Sequence, residues 1–313
     1  MRFTVSFAAL AAFACGSMKS ADPSHPAAVA IRSDIVTANG SELNGSELNG
    51  SELNGNTLGS TLAAVHLSGA ELNGESVIRL WLEGGQLRGQ QDPASPILGG
   101  TELVGLALDG DKSDGGQVKL RIQSASFAGP GAWRYDFVYQ QQDGTWSYVC
   151  AQGPGVIVSG RWNYDQGVPG GGAFIPDSSV FTIGCPSSAV EKCVVLGYEP
   201  WATFGFISGV ALHTSCVRAI RADYCGDGQS HTTNGRLINI YDGVGVQADT
   251  ESWIIEAEWT PDGARCVSPV ARDALGITCS TVPAALSCGD TSHFQTGTRL
   301  MTETPSGPIP YPL

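Results

Sequence analysis

The residues best equipped for chemistry lie between positions 216 and 258. Asp223, Asp227, His231 and Asp242 fall close together, and Glu256 and Glu258 follow two residues apart. Acid–base catalysis, or the binding of a hard cation, requires carboxylates and imidazoles of this kind to converge on one point. Two carboxylates at i and i+2 share one face of a strand, so Glu256 and Glu258 offer a candidate pair for hydrolysis. Each group also has an architectural explanation. Asp223 helps to end a helix, Asp227-Gly228 makes a turn through local Asx hydrogen bonds and a glycine with positive φ, and Glu256 and Glu258 line the exposed face of a strand. The architectural explanation is the stronger, because signatures of catalysis are missing. The chain has no Gly-x-Ser-x-Gly, since Gly205-Phe206-Ile207-Ser208-Gly209 is wrongly spaced, and it has no His-Glu-x-x-His and no phosphate loop. Asp109 to Gly115 has the outline of a calcium loop, but an EF-hand register starting at Asp109 needs Gly at 114 and Glu at 120, where the chain has Asp114 and Leu120. A hairpin turn fits better. These six residues define a hydrolase as the alternative; the leading expectation is a protein with no catalytic role, no metal and no cofactor.

Nine cysteines divide unevenly. Cys15 stands alone after an apolar N-terminal run, and Cys150, Cys185, Cys193, Cys216, Cys225, Cys266, Cys279 and Cys288 fall in the second half. Zinc knuckles need Cys-x-x-Cys pairs, which are absent, and the separation of Cys216 and Cys225 is too wide for one. An even set at scattered spacings reads instead as a disulfide framework in an oxidising compartment. A Cys193–Cys216 bridge would tie two helices together, and Cys279 and Cys288 would form a local pair. The N-terminus agrees on compartment. Met1-Arg2 precedes an uncharged run from Phe3 to Ala14, which describes a secretory signal over residues 1–14. Ala12-Phe13-Ala14 before Cys15 resembles a bacterial lipobox, with cleavage leaving Cys15 first and acylated. Ordinary secretion is the other reading. The even pairing of the remaining eight thiols favours the anchor.

Positioning these groups falls to a β-rich chain. Gly is abundant at 41 residues and charged residues make up only 15% of the sequence, as in a loop-rich exported protein. With a net charge of −13 and no cluster of Lys or Arg, nucleic acid is excluded as a partner class. No segment after the leader is apolar enough to span a bilayer. Residues 15–37 read as a tether. Over residues 38–90 a period of five appears: Ser41-Glu42-Leu43-Asn44-Gly45 recurs twice, and Leu or Val continues at 67, 72, 77, 82 and 87. This resembles the pentapeptide-repeat family, whose square β-solenoid points a central Leu inward. A flexible or slippage-expanded spacer is the alternative. Further on, Val118, Leu120 and Ile122 alternate with polar residues, as do Trp133, Tyr135, Phe137 and Tyr139, and Asp143-Gly144 marks a hairpin turn. Val156–Val158, Val180–Ile183 and Leu237–Tyr241 read as strands. Ser188 to Glu191 reads as a capping box opening one helix, and Val210 to Arg221 forms a second. The segment 291–313 reads as a loose tail. The fold class expected is mostly β with two short helices (α+β), disulfide-stabilised.

Ala222-Asp223-Tyr224-Cys225 carries the chain's most specific resemblance. The tetrad, the block from Glu191 to Trp201, the block from Trp162 to Gly172 and the block from Glu256 to Cys266 occur in order. Together they resemble the ADYC-domain family over residues 100–290. The resemblance implies an exported bacterial protein, often preceded by Leu/Asn/Gly repeats, and supplies no mechanism. The expected protein is therefore a cell-envelope protein, lipid-anchored at the outer membrane or cell surface, otherwise secreted or periplasmic. Its partners would be the membrane, through the anchor, and an envelope protein or carbohydrate. Trp162, Tyr164 and Trp201 are the first aromatic candidates for such contact, with core packing as the competing use of each.

Overall fold

A computed structural model describes residues 36–39, 62–127, 132–232, 235–269, 272, 277, 279 and 288–305. The expected signal, Cys15, the tether and the near-perfect repeats at 41–55 fall almost entirely outside them. Seven strands build the largest sheet: β1 (Leu62–His66), β2 (Ala107–Lys112), β3 (Gln117–Phe127), β4 (Trp133–Gln140), β5 (Trp146–Tyr148), β6 (Val156–Ser159) and β7 (Val180–Gly184). Helices α1 (Ala189–Val195) and α2 (Gly209–Arg221) follow, then β8 (Arg236–Asp242), β9 (Ile254–Thr260), β10 (Gly263–Val267) and β11 (Leu300–Thr304). The fold is mostly β, as the alternating patterns require.

The first seven strands form one antiparallel sheet in the order β5-β4-β3-β2-β1-β7-β6, joined at β2 by a small hairpin of Glu71–Leu72 and Glu75–Ser76. One face of this sheet is apolar, because Leu120 and Ile122 on β3 alternate with Lys119 and Arg121, and Tyr135, Phe137 and Tyr139 alternate on β4. A three-stranded sheet (Arg79–Glu83, Gln86–Gln90, Leu98–Gly99) contributes Leu80 and Leu87 to the same core. The hairpin between β4 and β5 turns at Asp143-Gly144, where Gly144 adopts φ +85° and Asp143 Oδ1 accepts from Thr145 N at 2.9 Å.

Over residues 62–90 the solenoid is not formed. Leu72, Val77 and Leu87 are buried and Leu67 and Leu82 pack against the core, as inward-pointing leucines should. Leu72, Leu82 and Leu87 do so from antiparallel hairpins and Leu67 and Val77 from the connections between strands, so residues 62–90 form no square coil. The core of the fold also begins well before residue 100, since β1 sits inside the large sheet.

β6 serves two cores. Ile157, Phe181 and Ile183 face the first, and Val156 and Val158 face a second that contains both helices and a five-stranded sheet. That sheet runs in the order Val36–Asn39, β8, β11, β9, β10. β11 is its central strand, buried along its whole length. The expected loose tail is therefore corrected: residues 300–304 pair with both β8 and β9. Ser188 caps α1, its hydroxyl accepting from Glu191 N at 3.2 Å. The reciprocal half of the capping box is replaced, because the Glu191 carboxylate turns to Arg134 on β4 at 2.5 Å.

All eight cysteines of the second half are bridged: Cys150–Cys185, Cys193–Cys216, Cys225–Cys279 and Cys266–Cys288. Cys193–Cys216 joins α1 to α2. The expected local pair of Cys279 and Cys288 is corrected: each reaches back to an earlier element, Cys279 to the end of α2 and Cys288 to β10.

Candidate functional site

Helix α2 is buried almost all round, with Leu212 to Arg221 all inaccessible, because α1 and the five-stranded sheet cover it. Its end carries the four residues of the tetrad. Ala222 closes the helix in the left-handed region (φ +51°, ψ +41°) and Asp223 N donates to Arg218 O at 2.9 Å. Only a small side chain tolerates that backbone next to a packed sheet, and Ala222 is fully buried.

Asp223 is buried and closed on both oxygens. Its Oδ1 accepts from Asp227 N at 3.1 Å and its Oδ2 from Gly228 N at 3.0 Å and from the Arg218 guanidinium. Arg218 in turn donates to Gly171 O at 2.7 Å and Pro261 O at 3.2 Å, tying the end of α2 to the Gly-rich loop and the β9–β10 turn. The buried charge is thus paired and hydrogen-bonded, the condition under which an ion pair survives in an interior.

Tyr224 stacks on Trp259 with ring centroids 5.2 Å apart. Its hydroxyl donates to Glu256 Oε1 at 2.5 Å and lies 3.1 Å from Arg272 O. Glu256 Oε1 also accepts from Arg272 Nε at 2.6 Å and Arg272 N at 3.2 Å, and its Oε2 from Thr302 Oγ1 at 2.8 Å. Burial, reinforced by the Glu256 charge, pushes the Tyr224 phenol well above its ordinary value. Burial opposes the charge of Arg272, but Glu256 and Tyr224 outweigh it and hold the guanidinium above its usual value. Cys225 completes the tetrad as one end of a bridge.

Glu258 has a separate set of partners. Its Oε1 accepts from His293 Nδ1 at 2.8 Å and Gly289 N at 2.9 Å, and its Oε2 from Thr298 Oγ1 at 2.8 Å. The expectation that Glu256 and Glu258 line an exposed face is corrected: both are 0% exposed. They share no partner, and a register shift between Ile255 and Ala257 breaks the simple alternation at Glu256.

The remaining candidates scatter. Asp242 accepts from Val244 N, Gly245 N and Gln247 N, each at 2.7 Å, and from Tyr198 OH at 3.0 Å, which makes it the clamp of the loop after β8. Burial and this carboxylate both raise the Tyr198 phenol well above its ordinary value. Asp227 accepts from Gln229 N at 3.0 Å in a surface turn. His231 lies beside Tyr224, with ring centroids 6.0 Å apart, and its Nε2 is buried without a partner among the described residues. Asp223, Glu256 and Glu258 therefore sit in three separate hydrogen-bond networks, none of which includes the His231 ring among the described residues. Among the described residues no group of three or more His, Cys, Asp or Glu side chains is arranged to hold a metal.

Two arginines were not legible as partners in sequence. Arg218 lies one helical turn and a cap before Asp223, a spacing that could have suggested the pair; Arg272 lies 16 residues from Glu256 with no local signal. The aromatic candidates are packing residues. Trp162 is 2% exposed and edge-on to Phe174, Tyr164 packs on the second core, and Trp201 Nε1 donates to Glu199 at 3.0 Å.

No curated protein and no solved structure matches the chain. A family model of the ADYC domain matches residues 100–273, more than half of the sequence and the whole span from β2 through the tetrad to Arg272. On that match, with the tetrad at the junction of α2, β9 and β10, the chain belongs to the ADYC domain family.

Proposed function

We propose that this chain is an exported, lipid-anchored cell-envelope protein whose ADYC domain is a rigid structural and binding module. The observation that carries the reading is the complete pairing of the eight cysteines of the second half, with Cys15 left over. Four bridges point to an oxidising, extracytoplasmic compartment. No helix among the described residues is long and apolar enough to cross a membrane; the anchor proposed here is the N-terminal cysteine. Among the described residues Asp223, Glu256 and Glu258 are buried in separate hydrogen-bond networks, which favours binding over hydrolysis because a general acid or base must reach a substrate proton.

Two measurements test the reading. The intact mass of membrane-extracted protein should correspond to a chain that begins at an acylated Cys15; an unmodified soluble chain beginning elsewhere overturns the anchor. Thiol counting on unfolded, unreduced protein should find none of the eight free. Four or more free thiols would remove the compartment assignment.

A further inference from the structure

We propose that Val36–Asn39 is a clasp. It fastens the N-terminal segment to the edge of β8, so that residues 16–35 alone set the reach between Cys15 and the domain, and the repeats at 41–55 lie in a loop tied at both ends. This deepens the anchored reading above, on which it rests, because it fixes how far from the membrane the domain can stand.

Val36–Asn39 pairs antiparallel with β8 over four residues, with Val36 opposite Asn239 and Asn39 opposite Arg236. It is the outermost strand of the five-stranded sheet. The sequence favours this place for it. Ile35-Val36-Thr37 is the only run of three β-branched residues between Cys15 and Leu62, and Asn39-Gly40 is a turn pair that ends it. β8 gives the clasp a fixed support. Its Ile238 and Ile240 are 0% and 3% exposed in the second core, and β11 pairs its other flank from Asn239 to Asp242. Without the clasp, Arg236–Asn239 would be an open sheet edge whose outward N–H and C=O groups have no ladder partner.

The other end of the repeats is held as well. Leu62 opens β1, which lies between β2 and β7 in the large sheet, and it is 3% exposed in the first core. The 22 residues from 40 to 61 therefore join the edge of one sheet to the interior of another. Chain length gives this a consequence. Fully extended, the 20 residues 16–35 span at most about 70 Å, and the 46 residues 16–61 at most about 160 Å. The clasp more than halves the limit. It also separates the reach from the number of repeats. Closure entropy grows only with the logarithm of loop length, so a further 15-residue copy of 41–55 weakens closure of the 22-residue loop about twofold. Copies can be gained or lost in such a loop without moving either sheet or the anchor.

Energy transfer between a dye on the N-terminus and one at exposed Ser68, just after β1, tests the clasp in a chain that begins at residue 15 with Cys15→Ser. Deleting or duplicating residues 41–55 should leave the separation of the dyes unchanged. Thr37→Pro combined with Ala38→Pro should release it. Consecutive N–H groups point to opposite sides of a strand, so one of the two prolines must remove a donor from the ladder with β8. In the released chain the separation should lengthen by about 15% with each added copy. The β8 amides between Arg236 and Asn239 that face the clasp should exchange at least tenfold faster, while β11 keeps the parent's protection and shows that the sheet is still folded. A separation that tracks repeat number in the parent overturns the proposal. So does a proline variant with the parent's separation at every repeat number, or one that leaves exchange in β8 unchanged. Neither readout needs the lipid, so a failed acyl mass leaves this test readable, and a failed clasp leaves the acyl mass standing.

Discussion

The first core, around Leu120, Phe137 and Phe181, and the second, around Trp259 and Tyr224, solve the same packing problem with different chemistry. In the first the buried side chains are apolar or tyrosine, and one bridge, Cys150–Cys185, closes it. Every fully buried charged residue among the described ones lies at Glu191 or beyond, and so do the other three bridges. The second core must seat two helices, several turns and long connections on a five-stranded sheet. Hydrophobic contact is non-directional and cannot specify where a loop lies. Ion pairs and carboxylates that gather backbone N–H groups can, which is the use Asp223, Asp242 and Glu256 are put to. The tetrad is best understood as a fastening of that kind: a left-handed stop, a buried carboxylate, an aromatic with a polar tip and a bridge.

The sharpest way to break this comparison is to remove one member of a buried pair. Asp223→Asn keeps the shape and leaves Arg218 charged among groups that no longer balance it. A loss of about 3–5 kcal/mol in urea unfolding is expected. Replacing both Arg218 and Asp223 by Met and Leu should recover part of it, because no unpaired charge then remains. If Asp223→Asn shifts stability by less than about 1 kcal/mol, the carboxylate is not a fastening.

Covalent fastening comes next. The double replacement of Cys225 and Cys279 by Ser should lower stability by about 2–4 kcal/mol. The comparison makes a spatial prediction as well. Hydrogen exchange should quicken in β9, β10 and the turn after Tyr224, while β3 and β4 keep the parent's protection. Uniform loss across both cores would show that the bridge acts through the unfolded chain alone.

Acid sharpens the comparison through His213, which is buried in α2 beside α1. Its Nε2 is 3.1 Å from Val190 O, and since a carbonyl only accepts, that nitrogen carries the proton. Burial depresses its pKa from the ordinary 6.5 to about 4. Between these values the unfolded chain binds a proton that the folded chain refuses, so stability is full above pH 6.5 and falls as pH drops toward 4. The expected loss is about 3 kcal/mol. Burial raises the carboxyls of Glu199 and Glu303, which act in the opposite direction as pH falls. The diagnostic is therefore the difference between parent and His213→Gln, whose urea midpoint should vary less over that window.

These contrasts also explain what the amino-acid pattern could reveal. The strands of the first core announce themselves, because a half-buried strand alternates and β3 and β4 do so over their length. β11 gives no such signal. Leu300-Met301-Thr302-Glu303-Thr304 looks polar, yet Thr302 donates to Glu256 and Glu303 accepts from Asn239 Nδ2 at 3.2 Å, so a central strand is buried with its polar groups satisfied. Glu256 and Glu258 read as exposed for the same reason: their cationic and imidazole partners, Arg272 and His293, are 16 and 35 residues away. The carboxylate of Asp227, which binds backbone two residues on, was legible as a turn. Local chemistry is written in local sequence, and long-range pairing is not. The exposure of Trp146 and Tyr148 was not legible either, since which side of an edge strand faces water depends on the whole sheet.

The smallest effect tests whether the two cores are separate at all. Arg134 on β4 and Glu191 on α1 form a pair across the boundary, with side chains 23% and 9% exposed. Arg134 also donates to Pro154 O at 3.2 Å, at the turn before β6. A double-mutant cycle with Arg134→Met and Glu191→Met should give a coupling of about 1–2 kcal/mol, above an exposed surface pair and below a fully buried one. Its distribution matters more than its size. β6 already carries side chains into both cores, so the cores should unfold together, and Glu191→Met should quicken exchange in β4 as well as α1. Exchange that quickens in α1 alone would make the boundary a true seam, with the second core opening independently while the first stays closed.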